Sequence, residues 1–577
     1  MSSSAGAEPP SWIALGLVAG EPVAALLDAA GAELERTSPG PADLARWVAE
    51  VEASRTVRWV WSDAPAWYPD LVAAGVRLAR CHDLRLCHAI LRDSALVEHA
   101  DELRAAAAWD AGPSGVAVDA APALFDLDDA AASSGPPTAL DDVLAEFARQ
   151  QAAVARSPDA RRLRLLLAAE SAGALIAVEL RAAGLPWDPA VHDRILAEIL
   201  GERPAGGGLP VRMQDAADRV RRELGDPAAS LDSQPKLLRS LHRVGLLVES
   251  TSRWELAEHT HPVVAPLIEY KRMARLLSAN GWTWLEEWVR DGRFRPVYVP
   301  GGVVTGRWAA AGGGALQVPR QLRAAVRADP GWTLVVADVA QLEPRVLAAM
   351  SRDEQLAAAA RGRDLYTGIV DSGAVATRSE AKIALLGAMY GATTGESGRL
   401  VPRLRRIYPR AMALVDDAAR IGEQGGVVTT WLGRSSPSPS SGWRATQLQA
   451  SQVEASGADE TRARRWARDR GRFTRNFVVQ GTAAEWALAW LADLRGRLAV
   501  LPGAGVSAPR SGPVFEGMPH LAFFLHDEII VHTPAELADE VADAVRGAAA
   551  SAGRVLFGDF PIDFPLDLKI AQSAEKG

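Results

Sequence analysis

The chain has 577 residues, a hydrophobic fraction of 48% and a formal net charge of −8, which allows about four domains and excludes a globally disordered protein. No apolar run approaches the ~18 residues of a membrane helix, so we expect no membrane association. The two cysteines, Cys81 and Cys87, predict free thiols in a reducing environment. The apolar stretch at 12–19 is not preceded by the basic segment of a signal peptide, so we expect a cytoplasmic protein.

Five zones follow one another along the chain. Residues 1–160 mix short apolar runs with helical segments, 161–295 are mostly helical, 296–345 are rich in strands and loops, 346–430 are helical again, and 431–577 combine long helices with a pair of strands. The alternation of strand-rich and helix-rich zones predicts an α+β multidomain protein.

Two aspartates are the first candidates for catalysis. Asp338 follows the apolar run 333–337, and Asp527 lies between the apolar segments 521–525 and 529–531. A lone aspartate is more often an exposed turn residue, but a carboxylate among apolar residues is costly unless it binds a metal or a cation. Two Mg²⁺ ions about 3.5–4 Å apart stabilise both oxygens of an in-line displacement, so we predict a site for two Mg²⁺, with Mn²⁺ as a substitute.

A helical face between these aspartates carries cations. Arg378, Lys382, Leu386 and Tyr390 are spaced by four, so they share one side of a helix. A solvated basic edge is the ordinary interpretation of such a face. The alternative is a triphosphate site, in which arginine grips phosphate as a fork and lysine acts as a point charge.

Arg472, Asn476 and Gln480 repeat the spacing of four, starting at the end of an arginine-rich stretch, 461–475, which contains seven arginines and one acid. The net charge is negative, but local clustering decides nucleic-acid binding. Amide side chains can donate and accept hydrogen bonds, which suits the minor groove, where readout is nearly independent of sequence. A solvated helix face is the other interpretation.

Together these segments resemble the family A DNA polymerases, the DNA polymerase I type, over roughly residues 165–577. The resemblance rests on five segments in order: Thr305-Gly306-Arg307, 336–345 (motif A), 378–391 (motif B), 472–483 (the DNA-contacting helix) and 526–528 (motif C). It implies a right-hand polymerase with an antiparallel palm sheet and helical fingers and thumb. An α/β, ribonuclease H-like exonuclease-like domain is expected before it.

The same resemblance implies boundaries for these domains. They are the exonuclease-like domain at 1–160, the thumb at 161–295, the first part of the palm at 296–345, the fingers at 346–430, and the return to the palm at 431–577. We expect no 5′-nuclease domain, because the chain leaves no room for one.

The resemblance also implies roles for individual residues. Asp338 and Asp527 would hold the metals, and Lys382 would donate a proton to pyrophosphate. The nucleotide site would consist of Arg378, Lys382, Tyr390, Gln341 and Glu343, with Glu343 excluding a ribose 2′-OH by a clash. DNA would be bound by Arg307, Arg472, Asn476, Gln480 and His526. The expected protein is a monomer that binds primer–template DNA and dNTPs and associates with the nucleoid while working in replication or repair.

Some positions depart from the family pattern. Val339-Ala340 replace a usual Tyr-Ser, and Leu386 replaces an aromatic residue against which the nucleotide packs. In the N-terminal zone there is no Asp-x-Glu. The acids Asp63, Asp83, Asp126 and Asp128 are available there, without a persuasive spacing. We predict an active but unusual polymerase with little or no 3′–5′ exonuclease activity.

Three alternatives stay open. A single-chain RNA polymerase would share the two aspartates and the basic helix, although Glu343 argues against it. A DNA-binding protein without catalysis would bind primer–template with an affinity that falls with salt. A metal-dependent hydrolase would use only the paired acids and would leave Arg378 and Lys382 without a purpose.

Overall fold

The computed structural model describes residues 10–115, 135–204, 206–314, 318–392, 395–503 and 505–575, so Asp126 and Asp128 lie outside the described residues. The chain divides into two compact units. The larger comprises Met1–Gly184, Val297–Gly312 and Pro330–Ala571, and the smaller comprises Leu185–Pro296, Gly313–Asp329 and Gln572–Gly577.

A mixed five-stranded sheet opens the larger unit. Its strands are β1 (Trp12–Val18), β2 (Glu21–Leu27), β3 (Glu33–Thr37), β4 (Arg58–Trp61) and β5 (Cys81–Asp83), in the order β3-β2-β1-β4-β5. β1, β2 and β3 are antiparallel neighbours, whereas β4 and β5 continue parallel to β1. β1, β2 and β4 are almost continuously apolar, as expected for strands that are buried on both faces.

Helices cover both faces of this sheet. They are α1 (Leu44–Ser54), α2 (Ala64–Ala73), α3 (Leu84–Asp93), α4 (Asp101–Ala105), α5 (Leu140–Ala155) and α6 (Ala160–Ala183). Residues of α1, α2 and α6 pack with Trp59 and Trp61 on one face, and residues of α5 pack with Val60 on the other. The N-terminal zone is therefore an α/β domain, as predicted.

The smaller unit is mainly helical. Its elements are β6 (Leu185–Pro186), α7 (Pro189–Leu200), α8 (Val211–Glu223), α9 (Gln234–Arg243), α10 (Arg253–Ala257), α11 (Val264–Asn280), α12 (Trp282–Trp288), β7 (Val289–Arg290), β8 (Arg293–Phe294) and a 3-10 helix at Arg320–Ala325. Trp187, Trp284 and Phe294 form an aromatic cluster at its centre. The division between the two units falls after Gly184, at the end of α6, because α6 packs against the five-stranded sheet.

The second sheet of the larger unit is antiparallel. A hairpin of β9 (Val297–Val299) and β10 (Ala309–Gly312) precedes it, and its strands are β11 (Trp332–Val339), β12 (His520–Leu525), β13 (Glu528–Pro534) and β14 (Leu566–Ala571). The order is β12-β13-β11-β14. β11, buried at every residue except Asp338, lies at the centre of the sheet between β13 and β14, which explains the apolar run that precedes Asp338.

Helices join the two halves of this sheet. They are α13 (Leu342–Ser351), α14 (Glu354–Ala360), α15 (Leu365–Asp371), α16 (Arg378–Tyr390), α17 (Gly395–Ile407), α18 (Pro409–Glu423), α19 (Ser441–Ala450), α20 (Gly457–Ala499) and α21 (Ala538–Phe557). Ser456 and Asp459 form a capping box at the start of α20. The first half of α20 is rich in exposed arginines, and its second half buries Trp486 and Trp490.

Membrane-spanning helices were sought throughout the described ranges. None of the helices there combines the length and the apolar character that crossing a bilayer requires.

Candidate active site

The two predicted carboxylates lie at one edge of the antiparallel sheet. Asp338 is the penultimate residue of β11, directly opposite Glu528 at the start of β13. Asp527 belongs to the turn between β12 and β13, and its carbonyl accepts a hydrogen bond from the Val339 N–H at 3.0 Å. His526, the other turn residue, is exposed and has a left-handed φ of 57°. The tight turn therefore holds Asp527 against the end of β11.

The negative charges of Asp338 and Asp527 repel each other. Burial, and then the negative charge of Asp338, raise the pKa of Asp527 to about 6, against a partial offset from Arg307. No group of three or more Asp, Glu, His or Cys side chains with the arrangement of a metal site occurs among the described residues. Asp338 and Asp527 are the two carboxylates that the sequence analysis predicts as metal ligands, and Glu528 is a third, buried acid at this edge of the sheet.

Glu343 connects the sheet edge to helix α16. Its carboxylate accepts a short hydrogen bond from Arg307 and another, at 2.6 Å, from the Tyr390 hydroxyl. Burial and the hydrogen bond to Glu343 raise the pKa of Tyr390. His526 lies beside these residues: partial loss of solvent around its ring, and then the charge of Arg307, lower its pKa. These four predicted site residues form one continuous set of interactions beside Asp527.

The predicted triphosphate face lies on α16, which starts with a capping box between Thr377 and Glu380. Lys382 is exposed and makes no hydrogen bond or ion pair with any residue of the described ranges. Arg378 is paired instead: it donates two hydrogen bonds to Asp364, at 2.8 and 3.2 Å. A phosphate that binds Arg378 would have to compete with this carboxylate.

The predicted DNA-contacting face lies on α20. Arg472 forms a short ion pair with Asp469, one turn earlier. Its side chain also packs against Gly391, where a Cβ would come within 2.8 Å of the arginine Cγ. Gly391 ends α16 with a φ of 73°, so both the backbone and the close contact require glycine there. Asn476 and Gln480, both half-exposed, keep their amides without hydrogen-bond partners in the part of the chain that is described.

Gln341 is the N-cap residue of α13 and has a left-handed backbone conformation. Its amide nitrogen donates to Asp364 at 3.1 Å, while its amide oxygen accepts from Arg345 and from the Leu365 N–H, both at 3.3 Å. The interactions orient Gln341 toward the N-terminus of α15. Through Asp364, they connect Gln341 with Arg378.

Two residues that support the site, Asp364 and Arg434, were missed by the sequence analysis. Asp364 links Gln341 to Arg378, and its only local signal is the N-cap pattern Asp-x-x-Thr before α15. Arg434 lies against Gly306, where a Cβ would come within 2.6 Å of its Nε, and it donates to the buried Glu170 at 2.6 Å. No pattern in the sequence indicates that Arg434 supports the turn that precedes Arg307.

Asp63 and Asp83, the two candidate acids of the N-terminal domain within the described residues, accept hydrogen bonds from groups of the same domain. Asp63 accepts hydrogen bonds from the Ser114 backbone and hydroxyl at 2.7 and 2.9 Å. Asp83 accepts from the N–H groups of Ala64 and Leu86 at 2.8 and 3.1 Å. Burial, and to a smaller degree the charge of Asp63, raise the pKa of Asp83 to about 7. β1 itself carries no acidic residue.

Comparison with known proteins supplies the family. The sequence model described as DNA polymerase family A matches residues 243–575, which is more than half of the chain and contains every predicted site residue. The chain belongs to DNA polymerase family A. The resemblance noted from the five sequence segments is therefore confirmed.

Two relatives extend the match toward the N-terminus. A thermostable DNA polymerase I of Thermus thermophilus is 25% identical over 436 residues, which are 68% of this chain and 46% of the relative. A DNA polymerase I of Chloroflexus aurantiacus is 25% identical over 486 residues, 73% of this chain and 47% of the relative. The matched parts amount to less than half the length of these relatives.

A solved structure confirms the fold. The POL domain of Pol1 from M. smegmatis, in complex with DNA primer-template and dNTP, superposes with a TM-score of 0.66 at 17% identity. The superposition covers 99% of this family A chain and 96% of the other. The predicted fold class, a right-hand polymerase preceded by an exonuclease-like domain, is therefore correct.

Proposed function

We propose that this chain is a template-directed DNA polymerase that adds deoxynucleotides to a primer 3′-OH, in replication or repair. The observation that carries the proposal is the continuity of the site: Asp338 and Asp527 meet at one sheet edge, and Glu343 connects that edge to α16. A hydrolase needs the acids alone. The cationic helix and the amides of α20 favour a reaction between a nucleotide and a duplex.

The donor set fits divalent cations. Asp338 and Asp527 are two carboxylates whose charges repel each other within a partly buried site, and hard cations such as Mg²⁺ prefer oxygen ligands. Asp338 and Asp527 would hold the metals. Bound metal ions would stabilise the negative charge on the attacking and leaving oxygens. Mn²⁺ has the same preference for carboxylate oxygens and would substitute.

The proposed reaction is an in-line displacement at phosphorus. The primer 3′-hydroxyl loses its proton to solvent, its oxygen forms a bond to the α-phosphorus of the dNTP, and the bond between that phosphorus and the bridging oxygen of the β-phosphate breaks. Lys382 holds the triphosphate and gives a proton to the departing pyrophosphate. Arg378 binds the same phosphates after exchanging its contact with Asp364. Gln341 supports the sugar, and Tyr390 lies near the templating base.

A second group of residues would hold the primer–template duplex. Arg307, Arg472, Asn476, Gln480 and His526 contact the primer–template in this proposal. The free amides of Asn476 and Gln480 suit the acceptors of the minor groove, which differ little between base pairs. Lysine and arginine contacts to phosphate make the affinity fall with salt.

Primer extension tests the proposal directly. With Mg²⁺, dNTPs and a 5′-labelled primer on a longer template, we expect the primer to lengthen. When dNTPs are omitted, we expect the primer to keep its length. The lack of shortening follows from the use of Asp63 and Asp83 in internal hydrogen bonds. Salt-dependent binding of the duplex without extension would instead establish a DNA-binding protein, and release of nucleotides without a primer would establish a hydrolase.

Replacing Glu343 by alanine should relax the choice of sugar. Removal of the side chain opens space for a 2′-OH, and a pocket contact of this size changes discrimination by about 10- to 200-fold. We expect incorporation of ribonucleotides relative to deoxynucleotides to rise by that factor in single-nucleotide extension. Glu354→Ala, at an exposed acid of α14, is the control. An unchanged ratio in Glu343→Ala would remove Glu343 from sugar selection.

A further inference from the structure

A cavity of about 560 Å³ lies at the amino ends of the parallel strands in the N-terminal domain. Trp12 begins β1, Arg58 begins β4, and Arg80 directly precedes β5, so the register brings all three to this edge. The aspartates considered above for exonuclease chemistry, Asp63 and Asp83, lie at the opposite, carboxyl ends of β4 and β5. The cavity is therefore separate from that edge of the sheet and from the polymerase site.

The cavity is lined by cations without a compensating acid. Arg58, Arg80 and Arg164 face it, and no Asp or Glu is among its lining residues. None of these arginines makes an ion pair or side-chain hydrogen bond with a residue in the described ranges. Burial, and then the charge of Arg80, lower the pKa of Arg58. Three arginines that line one cavity without a neighbouring acid, in a chain of net charge −8, favour an anionic ligand.

The lining also suits a flat ring. The guanidinium of Arg58 lies 5.4 Å from the centre of the Trp12 ring, which holds it at the cavity wall by a cation–π contact. Val154 and Leu167 supply buried apolar surface. Gln151 contributes an amide that can both donate and accept, and it has no hydrogen-bond partner in the described part of the chain.

The neighbouring polar groups are already satisfied. The His82 Nε2 and the Gln150 side-chain oxygen are hydrogen-bonded at 2.8 Å, and the Gln150 amide nitrogen donates to Leu84 and Glu146. Burial lowers the pKa of His82 to about 4, so it is neutral at physiological pH. The polar side chains that line the cavity without a side-chain hydrogen bond in the described ranges are those of the three arginines, Gln151, Ser11 and Thr56.

We propose that this cavity binds a nucleoside phosphate, with the phosphate held by Arg58, Arg80 and Arg164 and the base placed between Trp12 and Gln151. Arginine forks match phosphate oxygens in geometry and charge. The volume lies within the range of about 300–1,000 Å³ found for small-molecule sites, far more than a lone phosphate fills. The ligand is a free nucleotide or the phosphorylated end of a nucleic-acid strand, because both contain a nucleoside phosphate.

Equilibrium dialysis of the whole chain against labelled 5′-dAMP tests the proposal, with EDTA present to suppress metal-dependent binding at the polymerase site. Each charge-assisted contact contributes enough that Arg58→Gln and Arg164→Gln should each weaken binding by about tenfold. Arg161→Gln is the matched control: it removes an exposed arginine one turn away on α6 that does not line the cavity. We expect a change below about twofold for Arg161→Gln.

The remaining outcomes are decided by competition and by comparison of the variants. Displacement of dAMP by a short 5′-phosphorylated oligothymidine indicates a strand end, and no displacement indicates a free nucleotide; both support the site. Inorganic phosphate that competes as well as dAMP would overturn the nucleoside assignment. Absence of dAMP binding, or equal losses in Arg161→Gln and Arg164→Gln, would overturn the site. Arg164 is exposed, so its variant tests the site even if Arg58→Gln does not fold.

Discussion

Replacing Asp527 by asparagine is expected to lower the rate of primer extension by about a thousandfold or more, and at the same time to stabilise the metal-free protein. The rate falls because a neutral amide in place of one of the two carboxylates removes electrostatic support for the transition state. Stability rises because Asp527 is partly buried beside Asp338, and both effects raise its pKa to about 6. Activity and stability therefore change in opposite directions.

The pH dependence of this stabilisation has a definite sign. A carboxyl group whose pKa is higher in the folded state stabilises the fold while it is protonated, and this contribution is lost as the pH rises through about 6. Above that pH the ionised Asp527 costs the folded state about 1–3 kcal/mol, and asparagine removes this cost. The gain in melting temperature of Asp527→Asn should thus be present at pH 8 and shrink toward pH 4.

Two measurements check the prediction. Single-nucleotide extension gives the rate, and thermal melting with EDTA or with Mg²⁺ gives the stability. Mg²⁺ should raise the melting temperature of the wild type and have less effect on Asp527→Asn. Asp543→Asn, at an exposed carboxylate of α21, should change neither quantity. Extension at the wild-type rate by Asp527→Asn would refute the assignment of the metal site.

Replacing Glu179 by glutamine is expected to cost about 3–5 kcal/mol of the free energy of unfolding, because it leaves a buried arginine without its counter-charge. Glu179 on α6 accepts hydrogen bonds from Arg495 on α20 at 2.6 and 3.0 Å and from the Tyr68 hydroxyl at 2.7 Å. The side chains of Glu179 and Arg495 are only 6% and 8% exposed. Arg495 also donates to the carbonyls of Leu78 and Ala79, so the loss affects the N-terminal domain and α20 together.

The acid range provides a second test of this pair. Burial alone would raise the pKa of Glu179, but the charges of Arg495 and Arg77 lower it to about 2. A lowered carboxyl pKa stabilises the fold above the unfolded pKa, near 4.5, and this contribution is lost as the pH falls toward 2. The difference between wild type and Glu179→Gln should therefore be largest above pH 5 and decrease below pH 4.5.

Urea denaturation measures the effect, and two further variants identify its cause. Asp493→Asn breaks a half-exposed pair with Arg497 on the same helix and should cost less than about 1 kcal/mol. Joint replacement of Glu179 and Arg495 by methionine should cost less than Glu179→Gln alone, since the buried charge of Arg495 is removed and only the more exposed Arg77 loses its partner. A loss equal to that of Asp493→Asn would mean that the buried pair does not stabilise the fold.

Several elements of the site could be predicted from local patterns. The apolar run before Asp338 is a buried central strand, and the spacing of four from Arg378 to Tyr390 lies within one helix. These patterns are readable because the period of side chains along a helix or strand is a property of neighbouring residues. The same holds for the helix that carries Arg472 and Gln480.

The partners of these side chains could not be predicted. Arg378 pairs with Asp364, Arg434 supports the turn at Gly306, and Glu343 contacts both Arg307 and Tyr390. Each contact joins separate elements, and neither composition nor periodicity contains the distance between elements. The arginines around the cavity of the N-terminal domain are likewise dispersed in sequence and come together only through the register of β1, β4 and β5.

The family resemblance, the order of the motifs and the chemical type at each position follow from the amino-acid sequence, because motif spacing and helix or strand period are local properties. The three-dimensional structure was needed to show that Asp527 lies beside Asp338, that Glu343 accepts a hydrogen bond from Tyr390, and that Asp63 and Asp83 are engaged in hydrogen bonds. These outcomes depend on how distant segments pack, since burial and the charges of neighbours set the protonation and the partners of each group.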